Sequence, residues 1–235
     1  VGYAFAIFHL LTHGFFKANM FLGAGSVMHG MHDDVNMRHY GGLSKYMRYT
    51  YYTFLMGYLA IIGVPGFAGW FSKDSIIDVA FKTNPLVGTC AMVGAGITAF
   101  YMTRLMFMTF WGKPRWEPGV HPHESPKVMT IPLMVLALFS VVGGFAMFTW
   151  IQEWLEPAAG NHPEEFNPLT LAGFGTLAVV IAGVAIAYYT FGRGTIPAVA
   201  PASSNPFTVI GRNVLFGDQL NDGVVVGPTY ALART

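Results

Sequence analysis

The sequence predicts an all-α integral membrane protein, a polytopic bundle of transmembrane helices of which one is broken. Three observations predict it. Only 11% of the 235 residues are charged and 53% are apolar, whereas an ordinary soluble domain carries about a quarter charged residues. Mean hydropathy is +0.46, more apolar material than a chain of this size can hide in a core. Charged residues are also absent from four long windows, 49–72, 83–103, 128–152 and 166–192, and about 20 apolar residues suffice to cross a hydrocarbon layer of about 30 Å. In lipid every backbone polar group must be satisfied internally, which leaves helices and closed barrels. Windows this long without alternation select helices.

The first element, residues 1–30, is apolar except for His9, His13 and Lys17. The chain opens at Val1 already inside this helix and carries no signal-peptide pattern, so an upstream segment is expected. The second, 49–82, is longer than a span needs and is interrupted near 64–69 by Val-Pro-Gly-Phe-Ala-Gly. Pro65 removes a backbone donor, and Gly66 and Gly69 let the chain unwind, so a discontinuous helix is expected. Single spans follow at 83–111, 128–152 and 166–192, and 193–235 reads as a cytoplasmic linker leading to a lateral helix.

Positive charges test this layout independently of hydropathy. Arg38, Lys45, Arg48, Lys113, Arg115, Lys127, Arg193, Arg212 and Arg234 fall after the odd-numbered helices. Lys82 alone falls on the opposite side, where Glu153, Glu156, Glu164 and Glu165 also lie. Nine against one places the odd-numbered helix ends in the cytoplasm. Tyr46, Tyr49, Tyr51 and Tyr52 at one level, and Trp150 and Trp154 at the other, form aromatic belts.

Composition also excludes functions. A net charge of +1 lacks the basic footprint of a nucleic-acid binder. Cys90 stands alone, which excludes an intrachain disulfide or an iron-sulfur cluster held by this chain. The sequence offers no cofactor-binding or metal-ligand set. His9 and His13 have a metal-binding spacing, but Leu10 stands where the zinc-protease pattern requires glutamate. His29, His32, Asp33, Asp34 and His39 read as a solvated turn, and the His121 and His123 loop reads likewise.

The chemistry therefore rests on ionisable groups at membrane depth, which are costly there and mark ion pathways. His9, His13 and Lys17 recur every four residues, a step of about 40° and about 6 Å along a helix, so they form one stripe. Counted back from His29, Lys17 lies about 18 Å into the bilayer and His9 about 30 Å. Histidine exchanges protons near neutral pH, so such a row passes protons where water fills the gaps. Past the break stand Ser72, Lys73 and Asp74, then Asp78 and Lys82. Desolvation and a helix start act on Lys73 from one side, and the carboxylates of Asp74 and Asp78 from the other, so a change of partner can move its proton. A static Lys73 to Asp74 ion pair pinning the break is the competing reading. Thr12 and Ser72 are polar neighbours able to modulate the relay, as are Asp78 and Lys82. Arg104 is placed to snorkel to the inner surface.

The strings FHLLTHGFFKANMFLGAGSVMHGMHDD, GGLSKYM and GVPGFAGWFSKDSII resemble the antiporter-like family of membrane subunits found in NADH:quinone oxidoreductase, respiratory complex I. The resemblance covers roughly residues 5–80, and FGDQLNDGVVVGP in the tail is similar to the stretch that leads into that family's long lateral helix. It implies a proton-translocating subunit of a bacterial inner-membrane translocase, its partners being the other membrane-arm subunits and the lipid bilayer. FMN, iron-sulfur clusters and quinone would lie in other chains. It also implies that Lys73 with Asp74 is the terminal lysine site on a broken helix, and that His9, His13 and Lys17 relay protons along a central axis. The large subunit of a multisubunit cation/proton antiporter shares the pattern and is the alternative. Two positions depart from it: Gly14 replaces the usual alanine and Asn19 the usual leucine.

Overall fold

The computed structural model describes residues 2–160, 166, 167, 169–194, 196, 197, 199–203 and 205–234. It is 77% helical, with no strand among the described residues, so the all-helical expectation holds. Glu164 and Glu165 of the acidic loop lie outside the described residues. The chain divides into two units, Val1–Ala198 and Val199–Thr235.

In the first unit α1 (Gly2–Gly30), α2 (Arg48–Ile62), α3 (Ala68–Thr83), α4 (Pro85–Thr109), α5 (Lys127–Ala159) and α6 (Leu171–Ala187) follow one another. A π turn over Tyr188–Gly192 extends α6. Helix α1 packs along α5, α2 and α3, while α4 lies along α6. Among the described residues three helices are long and apolar enough to cross a membrane: Pro85–Thr109, Lys127–Ala158 and Leu171–Gly192. Helix α1 has the length, 29 residues, but its polar stripe lowers its apolarity. The break leaves α2 and α3 with 15 and 16 residues, each below a full span.

Local chemistry sets the boundaries. Asn84 caps α4, its side chain accepting the Leu86 N–H at 3.0 Å, with Pro85 in the first helical position where no N–H is needed. Helix α2 ends on Gly63 at φ +80, with the Val64 N–H bonded to the Leu59 carbonyl at 3.0 Å, the six-to-one closure of a left-handed helix stop. Pro65 and Gly66, the latter at φ +91, carry the turn, and α3 starts at Ala68.

The break is thus narrower than the 64–69 expected, because Gly69 is helical. Its role is close approach: a Cβ there would lie 2.0 Å from the Ala60 carbonyl oxygen, so only glycine lets α3 cross the end of α2 at this distance.

The core is aromatic and aliphatic. Phe16, Phe54 and Phe110 fill one region, and Phe5, Phe8 and Phe148 the other. Leu10, Phe21, Ile97, Leu138 and Ile181 face outward, as expected of surfaces that meet lipid rather than water.

The second unit is a series of short pieces, α7 (Pro206–Arg212), α8 (Gly217–Asn221) and α9 (Gly227–Ala233). Val214, Leu215 and Phe216 adopt positive φ, a left-handed run that ends continuous helix. Beyond that run α8, a π turn over Asp222–Val226 and α9 follow one another without a break from Gly217 to Ala233.

Candidate functional site

One face of α1 carries Thr12, Asn19 and Ser26, seven residues apart and fully buried. A seven-residue step drifts only about 20° on a helix, so the three share a stripe. Each bonds to another helix. Thr12 Oγ1 donates to Ser72 Oγ of α3 at 2.9 Å. Asn19 Nδ2 donates to the Thr53 carbonyl of α2 at 2.7 Å. Ser26 Oγ lies 2.6 Å from Thr50 Oγ1 of α2 and 2.7 Å from Ser125 Oγ. Beside this stripe run His9, His13 and Lys17, all partly buried.

Ser72 is the junction. It is fully buried, and its Oγ is 2.9 Å from Nδ1 of His9 while also receiving the Thr12 bond. Ser72 itself can donate to the Ala68 carbonyl at 3.2 Å. The rings of His9 and His13 are 5.5 Å apart, centre to centre. The Nζ of Lys17 lies 5.9 Å from the ring centre of Phe21. The structure therefore brings His9, Thr12 and Ser72 together and sets His13 one turn on.

Lys73 is one residue past this junction. Its Nζ donates to the carbonyls of Ile61 and Ile62 at 3.2 and 3.3 Å, two of the carbonyls that the end of α2 leaves without helical partners. The helix start is not the only dipole that acts on the lysine. Helix α3 crosses α2 so that the ammonium caps the negative end of α2 as well, where a cation is favoured. Among the described residues the close ion pairs are Lys82 with Asp78, at 2.7 Å, and His39 with Asp34. A fixed Lys73 to Asp74 pair is not one of them. Asp74 instead leaves Oδ1 buried without a hydrogen-bond partner and lines a cavity of about 80 Å³ with Ser75, Asp78, Lys82, Asn167 and Thr170. That is room for a few water molecules.

Sequence reasoning does not find Glu124. Its carboxylate accepts the Tyr49 N–H at 2.7 Å, the Thr50 hydroxyl at 2.6 Å and the Ser125 N–H at 3.1 Å, so it caps α2 from the loop before α5. The available signal is the seven-residue recurrence of Thr12, Asn19 and Ser26, which demands partners across the bundle. Nearby, His29 and His32 set their rings 5.6 and 6.0 Å from that of His123.

In the turn after α1, burial raises the Asp34 carboxyl, but the Asn36 N–H and His39 outweigh it and hold the group below the usual carboxylate range. Tyr40 donates its hydroxyl to the Asp34 carbonyl. Burial and the Asp34 charge push this phenol up to about 12.

An outward-apolar helical bundle with a broken helix and buried ionisable groups at the break defines a multi-pass membrane protein of transporter class. Comparison with known proteins narrows the class. Residues 1–98 match the family described as "NADH:quinone oxidoreductase/Mrp antiporter, TM", and residues 101–196 match "NADH dehydrogenase subunit 5 C-terminus". The chain is 50% identical to NADH-quinone oxidoreductase subunit L of Mycobacterium tuberculosis over 99% of its own length and 38% of the relative's. It is 37% identical to NAD(P)H-quinone oxidoreductase chain 5 of Picosynechococcus over 99% of its length and 41% of that protein. Against subunit L of Rhodobacter capsulatus the identity is 46%, over 74% of this chain and 25% of the relative.

The chain belongs to the antiporter-like family of membrane subunits, and within it aligns with the C-terminal part of subunit L and chain 5. It spans about two fifths of the length of the curated relatives it matches.

Proposed function

We propose that this chain is part of a proton-translocating membrane subunit of a bacterial NADH:quinone oxidoreductase. Redox chemistry, with its FMN, iron-sulfur clusters and quinone, belongs to other subunits. The observation that carries the reading is the seat of Lys73 on the carbonyls of Ile61 and Ile62, with Asp74 beside it unpaired and facing a cavity. A lysine fixed by an ion pair would be structural. One held only by neutral carbonyls next to an unpartnered carboxylate can exchange its proton.

His9 reaches this site through Ser72, and the 5.5 Å spacing to His13 is one that a bridging water spans. Protons arriving along the row from Lys17 would reach Lys73, pass to Asp74 and leave through the polar cavity by way of Asp78 and Lys82. The positive-charge count supports a cytoplasmic position for the loops after α1, α4 and α6, with the cavity toward the other side. The cation/proton antiporter alternative is disfavoured by the match of residues 101–196 to subunit 5 and by the names of the relatives.

Lys73→Ala in the intact complex tests the reading. Proton pumping and quinone-linked turnover should fall by an order of magnitude or more, while NADH oxidation by an artificial electron acceptor persists. Pumping at the normal yield per electron would reject it.

A further inference from the structure

At the end of the first unit where α4 and α6 finish, several cations gather. Arg115 donates to the carbonyls of Met37 at 3.1 Å, Arg38 at 2.9 Å, Met108 at 2.6 Å and Lys113 at 3.3 Å, which ties the loops after α1 and α4 together. Arg38 donates to the Pro197 carbonyl at 2.9 Å. Neutral acceptors order these guanidinium groups. Burial, and behind it the neighbouring Arg38, lower the Arg115 guanidinium from its ordinary value. Arg193 lies over the Tyr189 ring at 5.5 Å and Arg104 over that of Phe191 at 5.4 Å.

Between these segments is a cavity of about 410 Å³. Lys113, Arg115 and Arg193 supply its charge, and Phe107, Phe191 and Ile196 its apolar wall, and among the described residues the lining contains no Asp or Glu. The π turn over Tyr188–Gly192 shapes one side of it, an irregularity that recurs at functional sites. Ile97 and Tyr101 on α4, Ile186 on α6 and Tyr189 in the π turn are exposed.

We propose that this cavity binds the phosphodiester headgroup of an anionic phospholipid, contacted by Lys113 and Arg193 at the rim, with the acyl chains lying along α4 and α6. Arg115 acts as the positioning residue that holds the loops in place. Two sources could provide a phosphate, but only a lipid also uses the apolar wall and the exposed helix faces. A basic pocket at the cytoplasmic ends of membrane helices suits such headgroups. The proposal needs only the membrane setting and is independent of the proton path.

The test places the intact complex in phosphatidylcholine vesicles that contain a minor fraction of phosphatidylglycerol bearing a photoreactive diazirine on one acyl chain. Illumination and peptide mapping should find label on the α4 and α6 faces bordering the cavity. In the Lys113→Gln/Arg193→Gln double variant this label should fall by an order of magnitude or more, given about a fivefold contribution to affinity from each charge near the surface. Diazirine-labelled phosphatidylcholine should label both proteins equally, showing that the helices remain folded and lipid-exposed. Arg193→Lys, which keeps the charge, should retain most of the label.

Equal phosphatidylglycerol labelling of wild type and double variant would overturn the proposal. So would loss of labelling in Arg193→Lys, or displacement by excess inorganic phosphate, which would assign the cavity to a soluble anion.

Discussion

The two halves of α1 bury polar groups for opposite ends. Toward its C-terminus, Ser26 joins Thr50, Ser125 and Glu124 in a network whose side chains all find partners. Toward its N-terminus, His9 and Thr12 converge on Ser72 beside a lysine bonded only to carbonyls and a carboxylate with a bare oxygen. A satisfied network locks helices together, because breaking it would strand polar groups in a low-dielectric interior. Ionisable groups left unsatisfied stabilise little, which fits the proton role proposed for them. Asn19 stands at the boundary: Nδ2 is bonded to α2 while Oδ1 is buried and unpartnered.

Substitutions can break or sharpen this contrast. The largest effect belongs to Lys73→Ala, which should remove pumping while leaving the heat-inactivation midpoint of the complex nearly unchanged. Glu124→Ala should do the reverse. Loss of the α2 cap and of the Thr50 bond should cost about 1–3 kcal/mol and lower the inactivation midpoint by several degrees. The proton yield per electron of the surviving complex should stay normal, and a reduced yield would show that the locked half takes part in transport.

Gly63→Ala probes the join. A side chain at φ +80 costs about 1–2 kcal/mol, and its Cβ would sit 3.2 Å from Lys73 Cε. Pumping should therefore fall several-fold, and an unaltered rate would mean that the seat of the lysine is unimportant.

Asn19→Leu should change stability by no more than about 1 kcal/mol, because the hydrogen bond it loses is offset by removal of a stranded oxygen. A large loss of pumping would move Asn19 into the relay.

The smallest effect concerns Asp34. Because its folded-state value is depressed, its contribution is present above the ordinary carboxylate range and lost as pH falls through the depressed value. Protease cleavage in the turn of residues 31–47 should rise modestly below about pH 4, while resistance unchanged to still lower pH would remove this role.

Several of these features are legible in the linear sequence. Pro65 and Gly66 announce a break because neither continues a helix. The charge-free windows overlap α4, α5 and α6 because exclusion of charge over a membrane's thickness is written along one dimension. Lys73 is conspicuous for the same reason. Gly69 reads in sequence as loosening the break, since a glycine that grants close approach looks the same there as one that bends the chain. Glu124, 75 residues from Tyr49, gives no local sign of its task.

By itself the sequence determined an all-helical membrane protein, the stripe of His9, His13 and Lys17, and an interrupted helix with a lysine just beyond it, because periodicity and the cost of buried charge act along the chain. Only the tertiary structure decided which atoms those groups face. Lys73 caps the carbonyls of α2 instead of pairing with Asp74, and Ser72 links α3 to α1. These outcomes depend on how closely helices cross, set by contacts such as Gly69 on Ala60, and hydrogen bonds form or fail over a few tenths of an ångström that no spacing in a sequence encodes.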